Sequence, residues 1–256
     1  MDSDVAKPIF GWRVFGVGII ALAAFALAWG DFDPGQPVPA TFPFRTGLAY
    51  AVALFTLVAG VGIEWRKTLP WAAGALAAYY WLVVVLLMCG RSIVRHPSEY
   101  LAYSNTAGQV AIAAGTLILF STTAKLQPAL AARLTHIGQM IFGICALLFG
   151  GAHFFYMNLT APLVPQWLPP SQEFWGYATG IAHVAGGLGI LLGIKPRLAA
   201  YMLALMYALF GLIVHLPLLL GDPTNHGILA ENASNLVYTG VAWIVADSLA
   251  RAKAPA

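Results

Sequence analysis

Three histidines and two asparagines carry most of the chemistry this chain can offer. His153, His183, His215, Asn232 and Asn235 all fall within long apolar runs of the second half. A strongly polar side chain in such a run is costly to place in hydrocarbon, so it turns toward the interior of a bundle and marks a pathway, a site or an interhelical lock. Helical spacing gives the directions. His215 follows Ala204, Ala208 and Gly211 on one face, His153 follows Ala146 and Gly150, and His183 stands between Gly180 and Gly187. Small residues line helix contacts in membranes, so all three imidazoles are expected to point inward. Asn232, Asn235 and Thr239 form a polar stripe on the last helix. A rise of ~1.5 Å per residue puts His153, His215 and Asn235 about 5–8 Å below the outer interface and His183 about 15 Å down. The expectation is a cavity that opens outward and ends at His183, with Trp175 and Tyr177 near its mouth beside Tyr156, Trp167, Asp222, Asn225 and His226.

Imidazole and amide groups in an apolar, aromatic pocket can hydrogen-bond the carbonyls of a lipid-soluble ring such as a quinone. Imidazole also exchanges protons near neutrality. No residue here carries electrons by itself, so redox use would need a partner protein. The same residues admit structural readings. Each histidine could simply tie two helices together, the tryptophans and tyrosines could form an interfacial belt, and His226 could be a turn residue. Haem held by His153 and His215 is disfavoured, because ligating imidazoles lean on a carboxylate or carbonyl at the second nitrogen and no carboxylate is expected within these helices. No metal site is expected either. Cys89 and Cys145 stand alone in apolar runs, which excludes a disulfide framework and a CxxC centre.

The elements that must position these residues are membrane spans. The 256 residues are 60% apolar and only 9% charged, where soluble domains carry about 25% charge. A span needs about 20 apolar residues. Eight segments qualify, roughly 11–30, 46–63, 70–89, 106–121, 138–157, 174–192, 198–218 and 229–246. The fold class expected is an all-α integral membrane protein, with eight transmembrane helices arranged as two tandem four-helix bundles. Asp2, Asp4 and Lys7 precede the first run without a small-residue cleavage site, so it reads as a retained span. Ten of the thirteen Lys and Arg (Lys7, Arg13, Arg66, Lys67, Lys125, Arg133, Lys195, Arg197, Arg251 and Lys253) fall on one face when the N-terminus is cytoplasmic. Only Arg45, Arg91 and Arg95 fall on the other, so both termini are expected in the cytoplasm, with a bacterial cytoplasmic membrane as the setting. The net charge of +3 comes without any dense basic cluster, which argues against nucleic acid as a partner.

The two halves repeat at an offset of 126 positions. Pro39, Pro43, Pro70 and Pro97 match Pro165, Pro169, Pro196 and Pro223, and Gly60 matches Gly186. Sixteen prolines in 256 positions make four matches at one offset a rare coincidence. The expected organisation is a first repeat over 1–122, a linker over 123–136 and a second repeat over 137–256. At this offset His215 becomes Cys89, His183 becomes Leu57 and Asn235 becomes Gln109, and Asp31 stands near the His153 position if four residues are gapped. The first half therefore reads as scaffold and the second as bearer of the site.

The run from GGAHFFYMNLTAPLVPQWLPP through GIAHVAGGLGILLG to FGLIVHLPLLLGDP, followed by NLVYTGVAWIVA, resembles the DoxX-like family of small membrane proteins over Phe142–Ala246. His153, Pro165, Pro169, Trp175, Gly180, Gly186, Gly187, His215 and Asn235 carry the likeness. The resemblance implies a four-helix membrane unit, fused twice here, and kinship with subunits of quinol oxidases and thiosulfate:quinone oxidoreductases. His183 departs from the Glu that the family often has in its G-x-x-E-x-x-G-G stretch. The reading that follows is a redox-associated inner-membrane protein binding a quinone or similar lipid-soluble ligand near the outer leaflet through His153, His183, His215, Asn235, Trp175 and Tyr177. The alternatives are a non-enzymatic assembly or partner-stabilising subunit, and a small-molecule transporter. The residues name no reaction, and the quinone is a candidate cofactor only.

Overall fold

Backbone N–H and C=O groups in hydrocarbon find no solvent partner and are satisfied within helices. The computed structural model, which describes residues 10–251, follows that rule: its regular elements are helices and no strand occurs among the described residues. Eight long helices succeed one another. They are α1 (Gly11–Trp29), α2 (Arg45–Ile63), α3 (Leu69–Arg95), α4 (Tyr100–Thr123), α5 (Pro128–Phe155), α6 (Gln172–Leu191), α7 (Pro196–Gly221) and α8 (His226–Arg251). Local chemistry sets their ends. Pro70, Pro128 and Pro196 stand in first turns, where a missing N–H costs nothing. Gly30 closes α1 at φ 62° and returns its N–H to the Ala26 carbonyl at 2.9 Å. Ser171 caps α6 by accepting the Phe174 N–H at 3.1 Å.

By length and hydropathy six helices, α1 to α5 and α7, are able to cross a membrane. Of the eight spans expected from the sequence, the helices at α6 and α8 do not meet this measure. α6 is diluted by glycine, and α8 carries Glu231 and Asp247. Residues 128–136, read as linker from the sequence, form the first turns of α5, leaving 124–127 between the halves. Lys7, Lys253 and the chain ends, which enter the orientation argument, lie outside the described residues.

Each helix packs on the next around the molecule, α8 closes back onto α1, and α4 and α8 meet across the middle. This pattern maps onto itself when every helix is advanced by four. Trp29 and Phe155, Arg95 and Gly221, and Tyr100 and His226 are equivalent helix ends 126 positions apart, and the other ends agree within two residues except the start of α5, which comes nine positions before the equivalent of Gly11. A π-helical stretch interrupts α3 at Tyr79–Cys89 and α7 at Gly211–His215, ending at positions again 126 apart. In α7 the stretch is followed by Pro217, which offers no N–H to the Ile213 carbonyl, whereas α3 has Arg91 at the equivalent position.

The central core is formed by Phe15 and Ile19 of α1, Ile112 and Ile118 of α4, Phe142 of α5 and Val237 and Val241 of α8, all at most 1% exposed. Glycine permits the close approach of α1 to α8. A Cβ on Gly18 would lie 2.6 Å from the Val237 side chain, and one on Gly11 2.7 Å from the Ile244 backbone.

Candidate functional site

The site is built on the α5–α6 contact. Gly143 and Gly150 of α5 face Gly187 and Gly180 of α6, each pair seven residues apart. A Cβ on Gly187 would stand 2.7 Å from the Gly143 carbonyl oxygen, and one on Gly150 2.9 Å from that of Gly180. Backbones this close leave the next larger side chains to meet beside the seam. The His153 and His183 rings lie 5.1 Å apart, nearer than depth counting along the separate helices implied. His153 donates from Nδ1 to the Gly176 carbonyl at 3.1 Å, and His183 from Nδ1 to the Thr179 carbonyl at 2.9 Å. The His183 ring is further enclosed by Phe149, Tyr207 and Phe210, with centroids 6.0, 5.4 and 6.1 Å away.

Above this pair lies a cavity of about 870 Å³. His153, His183, His215, Asn235 and Trp175 all line it. His215 arrives from the π-helical stretch of α7. Asn235 comes from α8 and donates Nδ2–H to the Tyr207 carbonyl at 2.7 Å, across the α7–α8 contact where Gly211 leaves room. Trp175 is held by its indole N–H on the Pro169 carbonyl at 2.8 Å. Tyr177 does not line the cavity: two residues beyond Trp175 on a helix it faces away, half exposed, and packs on Phe154. Of the other residues placed near the mouth, Tyr156 lines the wall, while His226 begins α8 and stacks on Trp29 at 5.1 Å rather than serving as a turn. The segment after α5 supplies an apolar rim of Leu159, Leu163, Pro165 and Leu168.

Several polar lining groups escape the sequence reading, among them Tyr207, whose buried hydroxyl has no hydrogen-bond partner among the described residues. Glu231 is a carboxylate on the cavity wall, one turn before Asn235 on α8, and so overturns the expectation that these helices hold none. Its i, i+4 spacing to Asn235 was the available signal. Asn105 of α4 brings the first half to the cavity wall.

The corresponding place in the first half is filled. Ala23, Ala26, Ala49, Val52, Ala53, Thr56 and Tyr80 surround a remnant of about 20 Å³, and each stands 126 positions before a residue of the large cavity. The chain itself occupies the space, because Phe32, Asp33 and Gln36 of the α1–α2 connection fold inward and are at most 8% exposed. Asp33 accepts the Gly35 N–H at 2.9 Å and the Gln109 Nε2–H at 3.1 Å, and Tyr79 donates to Gln36 at 3.3 Å. Burial raises the Asp33 carboxyl above its ordinary value, against the opposing hydrogen bonds from Gly35 and Gln109 and the nearby His226. Arg45 pins the segment from outside, bonding the Val38 and Pro39 carbonyls at 2.7 and 2.9 Å and Asp31 at 2.8 Å. Asp31, placed near the His153 position from the sequence, is thus an outer ion-pair partner, and Asp33 is the inward acid.

Among the described residues no group of three or more His, Cys, Asp or Glu is gathered as a metal site would require. The arrangement suits an apolar molecule with a few polar atoms at the histidine end. A family model described as a domain of unknown function (DUF8561) matches residues 142–221, a segment holding His153, Trp175, His183 and His215 but not Asn235. No curated protein and no solved structure matches the chain.

Proposed function

We propose that the protein is a redox-associated inner-membrane protein that holds a quinone or similar lipid-soluble ring in the second-half cavity, near the outer leaflet. The observation that carries this reading is the contrast between the halves: an open cavity of about 870 Å³ with His153, His183, His215 and Asn235 on its wall, against an equivalent space filled by Phe32, Asp33 and Gln36. A pocket of this volume, mostly apolar with a few convergent polar groups, suits a small ligand of that class. The wider frame belongs to the same proposal: eight spans in two tandem four-helix repeats, supported by helix ends that recur at 126 positions, both termini cytoplasmic, DoxX-like kinship, and a separate redox partner protein in the membrane.

The assembly-subunit reading has its own support. The His153 bond to Gly176 and the Asn235 bond to Tyr207 each tie one helix to its neighbour, and bonds of this kind lock bundles with no ligand present.

Titration of a decyl-substituted benzoquinone into the protein in lipid nanodiscs, followed by tryptophan fluorescence, separates the two. Saturable quenching is expected, weakened at least about tenfold by Ala182→Phe, which puts a ring into the cavity from a non-core position. Ile181→Phe, on the outer face at 61% exposure, should leave it intact. Quenching that never saturates, or that is the same in Ala182→Phe, would leave only the assembly role.

A further inference from the structure

The direction of the hydrogen bonds at the cavity wall says more than its shape. A neutral imidazole has one donor and one acceptor nitrogen, and the bond made by one nitrogen assigns the other. Carbonyl oxygens cannot donate, so the bonds to the Gly176 and Thr179 carbonyls place the proton of both His153 and His183 on Nδ1. Thr179 agrees, since its hydroxyl donates to the Trp175 carbonyl at 2.7 Å and can only accept from His153 Nδ1 at 3.2 Å. Both Nε2 atoms are therefore bare lone pairs, and neither has a hydrogen-bond partner among the described residues. Of the neighbouring donors, the Trp175 indole is spent on Pro169 and one Asn235 Nδ2–H on the Tyr207 carbonyl, while the buried Tyr207 hydroxyl has no partner among the described residues. Asn235 keeps its oxygen free, and Glu231 adds a carboxylate. Asn105, Tyr156, Tyr207, Tyr238 and His215 can serve either way, but the paired imidazoles, which form the polar end of the cavity, can only accept.

We propose that this cavity selects a ligand that donates hydrogen bonds, a lipid-soluble phenol or hydroquinone, over the matching carbonyl-bearing quinone. The inference rests on the ring-binding reading above and sharpens it, since a quinone carbonyl would set its lone pairs against those of His153 and His183. A site whose polar groups are fixed for a hydroxyl rejects an analogue that lacks it, because the buried groups are then left unpaired. The first half shows the opposite polarity. There Gln109, the counterpart of Asn235, donates to the inward carboxylate of Asp33, an acceptor supplied by the chain.

The test uses the full chain in nanodiscs under argon, with decyl hydroquinone, its dimethyl ether and decyl benzoquinone compared in the same fluorescence titration. The hydroquinone is expected to bind at least about tenfold more tightly than the quinone, with the ether as weak as the quinone. His183→Leu should lower hydroquinone affinity about tenfold and leave quinone affinity nearly unchanged, so that the preference collapses. The wild-type comparison stands even if that variant fails to fold. Equal saturable binding of hydroquinone and quinone would overturn this inference while leaving a ring-binding site. Absence of saturable binding by all three would overturn both.

Discussion

Side chains in this molecule are decided by whether a polar atom finds a partner. His153, His183, His215 and Asn235 could be picked from the sequence because a polar residue in an apolar run has few places to go, and the structure puts all four on one cavity wall. Tyr177 was misplaced for a reason legible in its spacing, since two residues on a helix rotate a side chain to the far side. Asp33 was not legible. It lies in a connection, where acids ordinarily face water, and only the folded segment shows it buried against Gln109. Because burial holds its folded carboxyl above the ordinary value, the stability it contributes is fullest at low pH and is lost as pH rises through that raised value. Asp33→Asn should therefore be at least as stable as the wild type at neutral pH. The wild type should gain on it steadily as pH falls toward about 4, in thermal unfolding followed by circular dichroism in detergent. A variant that melts well below the wild type at neutral pH, with the gap closing in acid, would mean that a charged Asp33 anchors the plug.

At the scale of elements, glycine sets which helices can touch. The seam of Gly143 and Gly150 against Gly187 and Gly180 brings His153 and His183 together. A Cβ on Gly180 would lie 2.8 Å from the His153 Cβ and 3.2 Å from the Phe154 ring. Gly180→Val should cost about 1–3 kcal/mol by overpacking and should abolish ring-ligand binding, because the two imidazoles are pushed apart. Gly47→Ala makes the control, since nothing lies within 4 Å of its Cβ position. It should be neutral or stabilise by up to about 1 kcal/mol. Thermal unfolding of both variants checks this, and a Gly180→Val protein that melts with the wild type and still binds would remove the seam from the account. Helix positions were largely legible from the apolar runs, although residues 128–136 were misread because their polar side chains resemble a linker. The π-helical stretches were not legible, because Pro217 follows the one in α7 while Arg91 holds the equivalent place after the one in α3.

For the whole molecule, four prolines recur at an offset of 126 residues, three pairs of helix ends recur at that interval, and the packing order maps onto itself four helices on. What prolines could not convey is how differently the halves use the same space. One half folds its own connection inward under the clamp of Arg45, and the other leaves its connection as a rim over an open cavity. On the proposed reading, this difference makes the first half scaffold and leaves the second free to take a ligand. The most direct measurement is solvent extraction of the protein purified gently from its own membrane, with mass spectrometry of the extract, alongside Ala182→Phe prepared in parallel. The account predicts a ring-bearing lipid such as a quinol near one per chain in the wild type and almost none in the variant. Equal amounts of such lipid in the two preparations, or none in either, would contradict it.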